Sequence, residues 1–184
     1  MLESFVVKAS YYGFKLKAKL DITDIQAAAI LGTIGHLSNG AQPNFREDNS
    51  YGPSWAKGTI GKGYGWAQWE NKSDGTSSLD DFIDYVKEIF GDDITTISAT
   101  DDHNYEYLLE ELIRGNKKAA VTALKGATTV EEATTIFMEK YDSPNKFSMF
   151  LNRRLNYTRQ ALACMSNLDV PLRSTGKNLI ETSI

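Results

Sequence analysis

Residues 30–38 read Ile30-Leu31-Gly32-Thr33-Ile34-Gly35-His36-Leu37-Ser38; after Pro43 and a loop punctuated by glycine, the chain closes on Lys62-Gly63-Tyr64-Gly65-Trp66-Ala67-Gln68-Trp69. Upstream, Thr23-Asp24-Ile25-Gln26 has the form of a capping box, in which the Thr hydroxyl and the Gln amide satisfy free backbone N–H groups. The spacing therefore predicts a helix from about Asp24 to Leu37. That helix is rich in small residues, Ala27, Ala28, Ala29, Gly32 and Gly35, although each glycine costs about 1 kcal/mol in helix propensity relative to alanine. Small side chains let neighbouring elements approach closely, which suits a central, buried helix. Between residues 38 and 62, Gly40, Gly52, Gly58, Gly61, Pro43 and Pro53 exclude a regular helix. An irregular loop, or a small β-hairpin, is expected there.

Working outward, residues 1–20 form an amphipathic segment with Leu2, Phe5, Val6, Ala9, Tyr12 and Leu16 at helical spacing, although Val6-Val7 and Tyr11-Tyr12 also suit a strand. Downstream, Ser78 to Phe90 carries Leu79, Phe82, Ile83, Val86 and Phe90 on one face, and Gly91 follows as its stop. Further helices are expected over Tyr105–Ile113, over Asn116–Leu124, from a second capping box at Thr129 to about Tyr141, and from Lys146 to about Ser166, with Ser143-Pro144 as a break. Residues 167–184 show no sustained period and read as a C-terminal tail. The division is thus an N-terminal segment (1–20), a domain over 21–166 and the tail. The fold class is mainly α, a helical bundle around a central helix, with one irregular insertion.

A chain of 184 residues with 41% apolar composition can bury a real core as one domain. Net charge is −4 and no basic cluster stands out, which argues against nucleic acid as a partner. Apolar runs are broken by Lys, Asp or Gly well short of the roughly 20 residues that span a bilayer. The opening Met1-Leu2-Glu3 lacks the pattern of a secretory signal. The lone Cys164 has no internal disulfide partner. With His36 and His103 as the only histidines and no paired carboxylate motif beside them, neither a metal site nor a cofactor is expected.

The order and spacing of Ile30-Leu31-Gly32-Thr33-Ile34, Ser38, Pro43 and Gly63-Tyr64-Gly65-Trp66-Ala67-Gln68-Trp69 resemble the phage tail lysozyme family, and the resemblance continues through Asn104-Tyr105 and Leu108–Leu112 to the last helix. It covers most of the chain between about residues 21 and 165. It implies an α+β lysozyme-like fold whose irregular insertion lines a glycan groove, and a virion-borne protein of a phage tail or ejection assembly. Such a protein cuts the β-1,4 bonds of bacterial peptidoglycan in the host cell wall. Its partners would be peptidoglycan and other virion proteins.

One position departs from the family's pattern. Directly before Ser38, where the family places its catalytic glutamate, stands Leu37. Glycosidic cleavage needs an acid that protonates the leaving oxygen, and Leu37 has no titratable proton. Glu47, in the loop, is the best substitute acid, with a solvated residue beside Arg46 as its plain structural reading. An inactive lysozyme fold that binds glycan or builds part of the tail is the rival expectation. His36 and Ser38 flank the vacant position. By resemblance Tyr64, Gly65 and Gln68 face the groove, and strand alternation would put Tyr64, Trp66 and Gln68 on one face. Trp55 is a candidate to cover a sugar subsite or to anchor the loop. Arg153, Arg154 and Arg159 cannot share one face of the last helix, so they cannot all point into one groove.

Overall fold

The computed structural model describes the backbone of residues 2–142 and 147–168 and the side chains of 5–142 and 150–166. Seven helices occur in the described residues: α1 (Leu2–Leu20), α2 (Asp24–Leu37), α3 (Ser78–Phe90), α4 (Asp101–Ile113), α5 (Lys118–Leu124), α6 (Val130–Tyr141) and α7 (Phe147–Leu168). The Ser143-Pro144 break and residues 169–184 of the expected tail lie outside the described residues.

Leu2–Leu20 of the opening segment is a helix, and its apolar stripe falls on Phe5, Ala9, Tyr12, Leu16 and Leu20, all buried in the core shared with α2. The expected Val6 turns outward, at 36% exposure. After Asp21, the Thr23 side chain accepts from the Gln26 N–H and the Gln26 side chain accepts from the Thr23 N–H, so the capping box opens α2. Every residue of α2 from Gln26 to Gly35 is buried. A helix apolar all round is an interior helix, and α1, α6 and α7 pack around this one. Its glycines set the approach of its neighbours. A Cβ at Gly35 would stand 2.7 Å from the Phe5 ring of α1 and 2.9 Å from the Tyr157 ring of α7.

Helix α4 begins at Asp101, one turn before the expected start at Tyr105. Thr100 caps it by accepting from the His103 N–H, while His103 Nδ1 accepts from the Thr100 N–H. Histidine here plays the part usually taken by Glu or Gln, and Asp101 and Asp102 complement the positive end of the helix dipole. At α6, Thr129 accepts from the Glu132 N–H, but the Glu132 carboxylate reaches the Thr128 N–H rather than that of Thr129. The box is completed one residue early.

Between α2 and α3 the described chain carries only isolated β-bridges, among them Phe45 with Tyr51, Arg46 with Tyr64 and Tyr64 with Trp69. Backbone hydrogen bonds run both ways between Tyr64 and Trp69, at 3.1 and 3.0 Å. The four residues between them form a tight turn, with left-handed backbone at Gly65 (φ 73°) and Gln68 (φ 54°). The segment is therefore not the straight strand that alternation assumes. Tyr64 and Trp66 are fully buried and Trp69 is 3% exposed, because the turn folds all three rings inward against α1, α3 and α4. The outcome is the mainly helical, lysozyme-like layout expected from the sequence, with the irregular insertion packed through its rings against α1, α3 and α4.

Candidate active-site cleft

The end of α2, the insertion and one face of α7 enclose a cleft of about 750 Å³. From α2 come His36 and Leu37, from the loop Asn39, Phe45, Glu47 and Asn49, from the turn Gln68 and Glu70, and from α7 Phe150, Arg153, Asn156, Tyr157 and Gln160. The volume falls in the range of about 300–1,000 Å³ typical of ligand clefts. Polar amides and carboxylates interleaved with Phe45, Phe150 and Tyr157 give the mixture of flat apolar faces and hydrogen-bonding groups that a carbohydrate requires.

Leu37 is the last residue of α2; the Ser38 N–H and hydroxyl both bond the Ile34 carbonyl, at 3.1 and 2.9 Å, and the chain turns through left-handed backbone at Asn39 and Gly40, whose N–H reaches the Gly35 carbonyl at 2.7 Å. Ser38 is thereby fully buried and points away from solvent, while Leu37 and His36 border the cleft. The His36 ring packs against Phe150 with centroids 5.1 Å apart. Burial, reinforced by the positive charges of Arg154 and Arg153, lowers its pKa from 6.5 to about 4. At neutral pH His36 is an uncharged imidazole and holds no proton ready for donation.

Glu47 reaches the cleft because the loop folds back on the turn. Its N–H donates to the Gly63 carbonyl at 3.0 Å and its carboxylate accepts from the Gly63 N–H at 3.1 Å. Gln68 Nε2 donates to the Gly65 carbonyl at 2.8 Å and the Phe45 carbonyl at 3.2 Å. Both amide hydrogens thus hold the turn, which leaves the side-chain oxygen to accept from a ligand. Glu70, directly after the motif, is a second carboxylate of the cleft wall. No spacing rule singled it out; the only sequence signal is its position immediately after Trp69.

The other expected residues sit behind the cleft. Tyr64 donates its hydroxyl to the Gly52 carbonyl at 2.9 Å and accepts from the Ala99 N–H at 3.0 Å. Burial raises its pKa to about 12, so it is a neutral phenol that ties the insertion to the chain before α4. Gly65 is packed so closely that an added Cβ would lie 2.5 Å from Asn104 Oδ1. Trp55 is half-buried, donates Nε1 to the Gly63 carbonyl at 3.2 Å and lies under the Arg46 guanidinium at 4.6 Å. It anchors the loop.

The three arginines of α7 separate as their angular spacing requires. Arg153 borders the cleft, Arg154 is buried and pairs with Asp142, and Arg159 pairs with Glu131 at 2.7 Å. Among the described residues no cluster of three or more His, Cys, Asp or Glu side chains is placed to hold a metal ion. Nor is any described helix long and apolar enough to cross a membrane.

A mainly helical bundle with a cleft at the end of its central helix is the layout of a lysozyme-like protein. The family model for phage tail lysozyme matches residues 9–165, from within α1 to near the end of α7, and the chain belongs to that family. No curated protein and no solved structure matches it.

Proposed function

We propose that this protein is a component of a phage tail or ejection assembly that engages the glycan strands of bacterial peptidoglycan in the host cell wall during genome ejection, and that it lacks the family's proton donor. The carrying observation is Leu37 in the wall of the cleft. A glycosidic oxygen lying against this side chain meets a hydrocarbon, and without protonation of the leaving group the bond is not cut by the family's route. What remains is a groove that holds the strand.

A second reading is supported by two carboxylates in the same cleft, Glu47 and Glu70. Either would offer a proton donor from elsewhere in the cleft, and cleavage would then proceed despite Leu37. Muropeptide release from purified peptidoglycan separates the two. The expected result is no release by the unmodified protein or by Leu37→Ala, and release by Leu37→Glu. Release by the unmodified protein that is lost in Glu47→Gln or Glu70→Gln would overturn the binding-only reading in favour of the second.

A further inference from the structure

A second, smaller cavity of about 130 Å³ adjoins the cleft and shares Gln68 and Glu70 with it. Its remaining wall includes Lys72, Lys117, Tyr141, Asp142 and Glu111. The size decides what it can hold. At well under the ~300 Å³ lower bound of small-molecule clefts, it has no room for a disaccharide or a whole peptide, but it admits a single charged group branching from a ligand in the larger cleft.

Its charges point one way once internal partners are counted. Asp142 is paired with Arg154. Glu111 is buried and its carboxyl is engaged inside the protein, one oxygen accepting from Trp69 Nε1 and the Tyr141 hydroxyl. Glu70 faces Lys72 at 3.8 Å. Lys117 Nζ donates one hydrogen to the Tyr141 carbonyl at 2.6 Å and lies 5.1 Å from the Tyr141 ring centre, which leaves its other two hydrogens for an acceptor. With Asp142 held by Arg154 and Glu70 by Lys72, Lys117 keeps hydrogens to offer a group that enters the cavity. The cavity suits an anionic guest.

We propose that this cavity takes a carboxylate group of the peptide stem of peptidoglycan, with Lys117 as its partner and the Lys72–Glu70 pair at its rim, while the sugars occupy the larger cleft. The inference rests on the glycan-binding reading above. It makes the site selective for strands that still carry their peptides over bare glycan.

Calorimetric titration with a soluble disaccharide-peptide, and with the same disaccharide after amidase removal of the peptide, tests it. The expected preference for the peptide-bearing ligand is about tenfold, the order of one charge-assisted hydrogen bond. That preference should shrink in Lys72→Glu, an exposed position, and in Lys117→Met, which retains the aliphatic packing on Tyr141. Equal affinity of the unmodified protein for both ligands, or an undiminished preference in either variant, overturns the proposal while leaving the glycan reading intact. Failure to bind either ligand sinks both, and is recognised by the missing response to the sugar alone.

Discussion

Gly32 of α2 faces Thr158 of α7 so closely that a Cβ at Gly32 would lie 2.0 Å from the Thr158 hydroxyl oxygen, 2.6 Å from its backbone nitrogen and 2.7 Å from its Cα. The first distance can be relieved by a side-chain change, the other two only by moving a helix. Gly32→Ala is therefore expected to destabilise the protein by roughly 2–3 kcal/mol despite alanine's better helix propensity. Thermal unfolding checks this, and the Gly32→Ala, Thr158→Ala double variant should recover only part of the loss. Full recovery would mean that the hydroxyl alone sets the helix separation.

Asn104 connects three segments around the turn. Its side-chain oxygen accepts from the Trp66 N–H at 2.7 Å, and its amide donates to the Pro43 carbonyl at 3.0 Å and the Thr100 carbonyl at 2.7 Å. Asn104→Ala leaves these buried groups without partners, at an expected cost of about 2–4 kcal/mol. Since Gln68 and Glu70 belong to the segment so fixed, glycan affinity should fall along with the melting temperature. Asn104→Asp keeps the acceptor for Trp66 and loses both donors, so a loss similar to that of alanine would identify the carbonyl partners as the critical ones.

Much of this arrangement is legible in the sequence because it is local. The Thr23 capping box and the small residues of α2 announce a buried central helix, and the glycines after Ser38 announce its end. What escapes the sequence depends on contacts between distant segments. Tyr64 and Trp66 are buried together because the Tyr64–Trp69 pairing closes a turn, which the alternation of an extended strand does not anticipate. Glu47 enters the cleft through its pairing with Gly63, and Glu70 by the exit direction of that turn. The early start of α4 was hidden by a histidine acting as the reciprocal cap. Leu37, by contrast, is singled out by motif position alone, and in the fold it ends α2 and borders the cleft.

His36 supplies a pH dependence. Its folded pKa, about 4 against an ordinary 6.5, means that the unfolded chain takes up a proton more readily than the folded one. The stability it contributes is present above about pH 6.5 and is lost as pH falls towards 4. Replacing His36 with Gln, which does not titrate, should flatten the melting temperature over this window relative to the unmodified protein. An NMR titration of the imidazole should place its midpoint near 4; a midpoint near 6.5 would show that neither its burial nor the charges of Arg154 and Arg153 hold the proton off.

Glu111 carries the opposite sign. One of its oxygens accepts from Trp69 Nε1 at 2.8 Å and from the Tyr141 hydroxyl at 2.7 Å, and the residue is 7% exposed. Burial raises its pKa above the ordinary 4.5, against the opposing pull of those two donors and of Lys117. The folded state then holds the proton more tightly than the unfolded chain, so this contribution is complete below about pH 4.5 and is lost as pH rises through the folded value. Glu111→Gln keeps an acceptor for both donors and cannot ionise. Its stability relative to the unmodified protein is expected to improve as pH rises above about 4.5 and to level off once the folded carboxyl has ionised. Glu111→Ala instead strands the Trp69 and Tyr141 donors, with an expected loss of about 2–5 kcal/mol. Because Trp69 closes the turn that bears Gln68, that loss should extend to glycan affinity. A difference between Glu111→Gln and the unmodified protein that stays constant across the pH range would show that the carboxyl is ionised alike in both states, with Lys117 and the two donors outweighing burial.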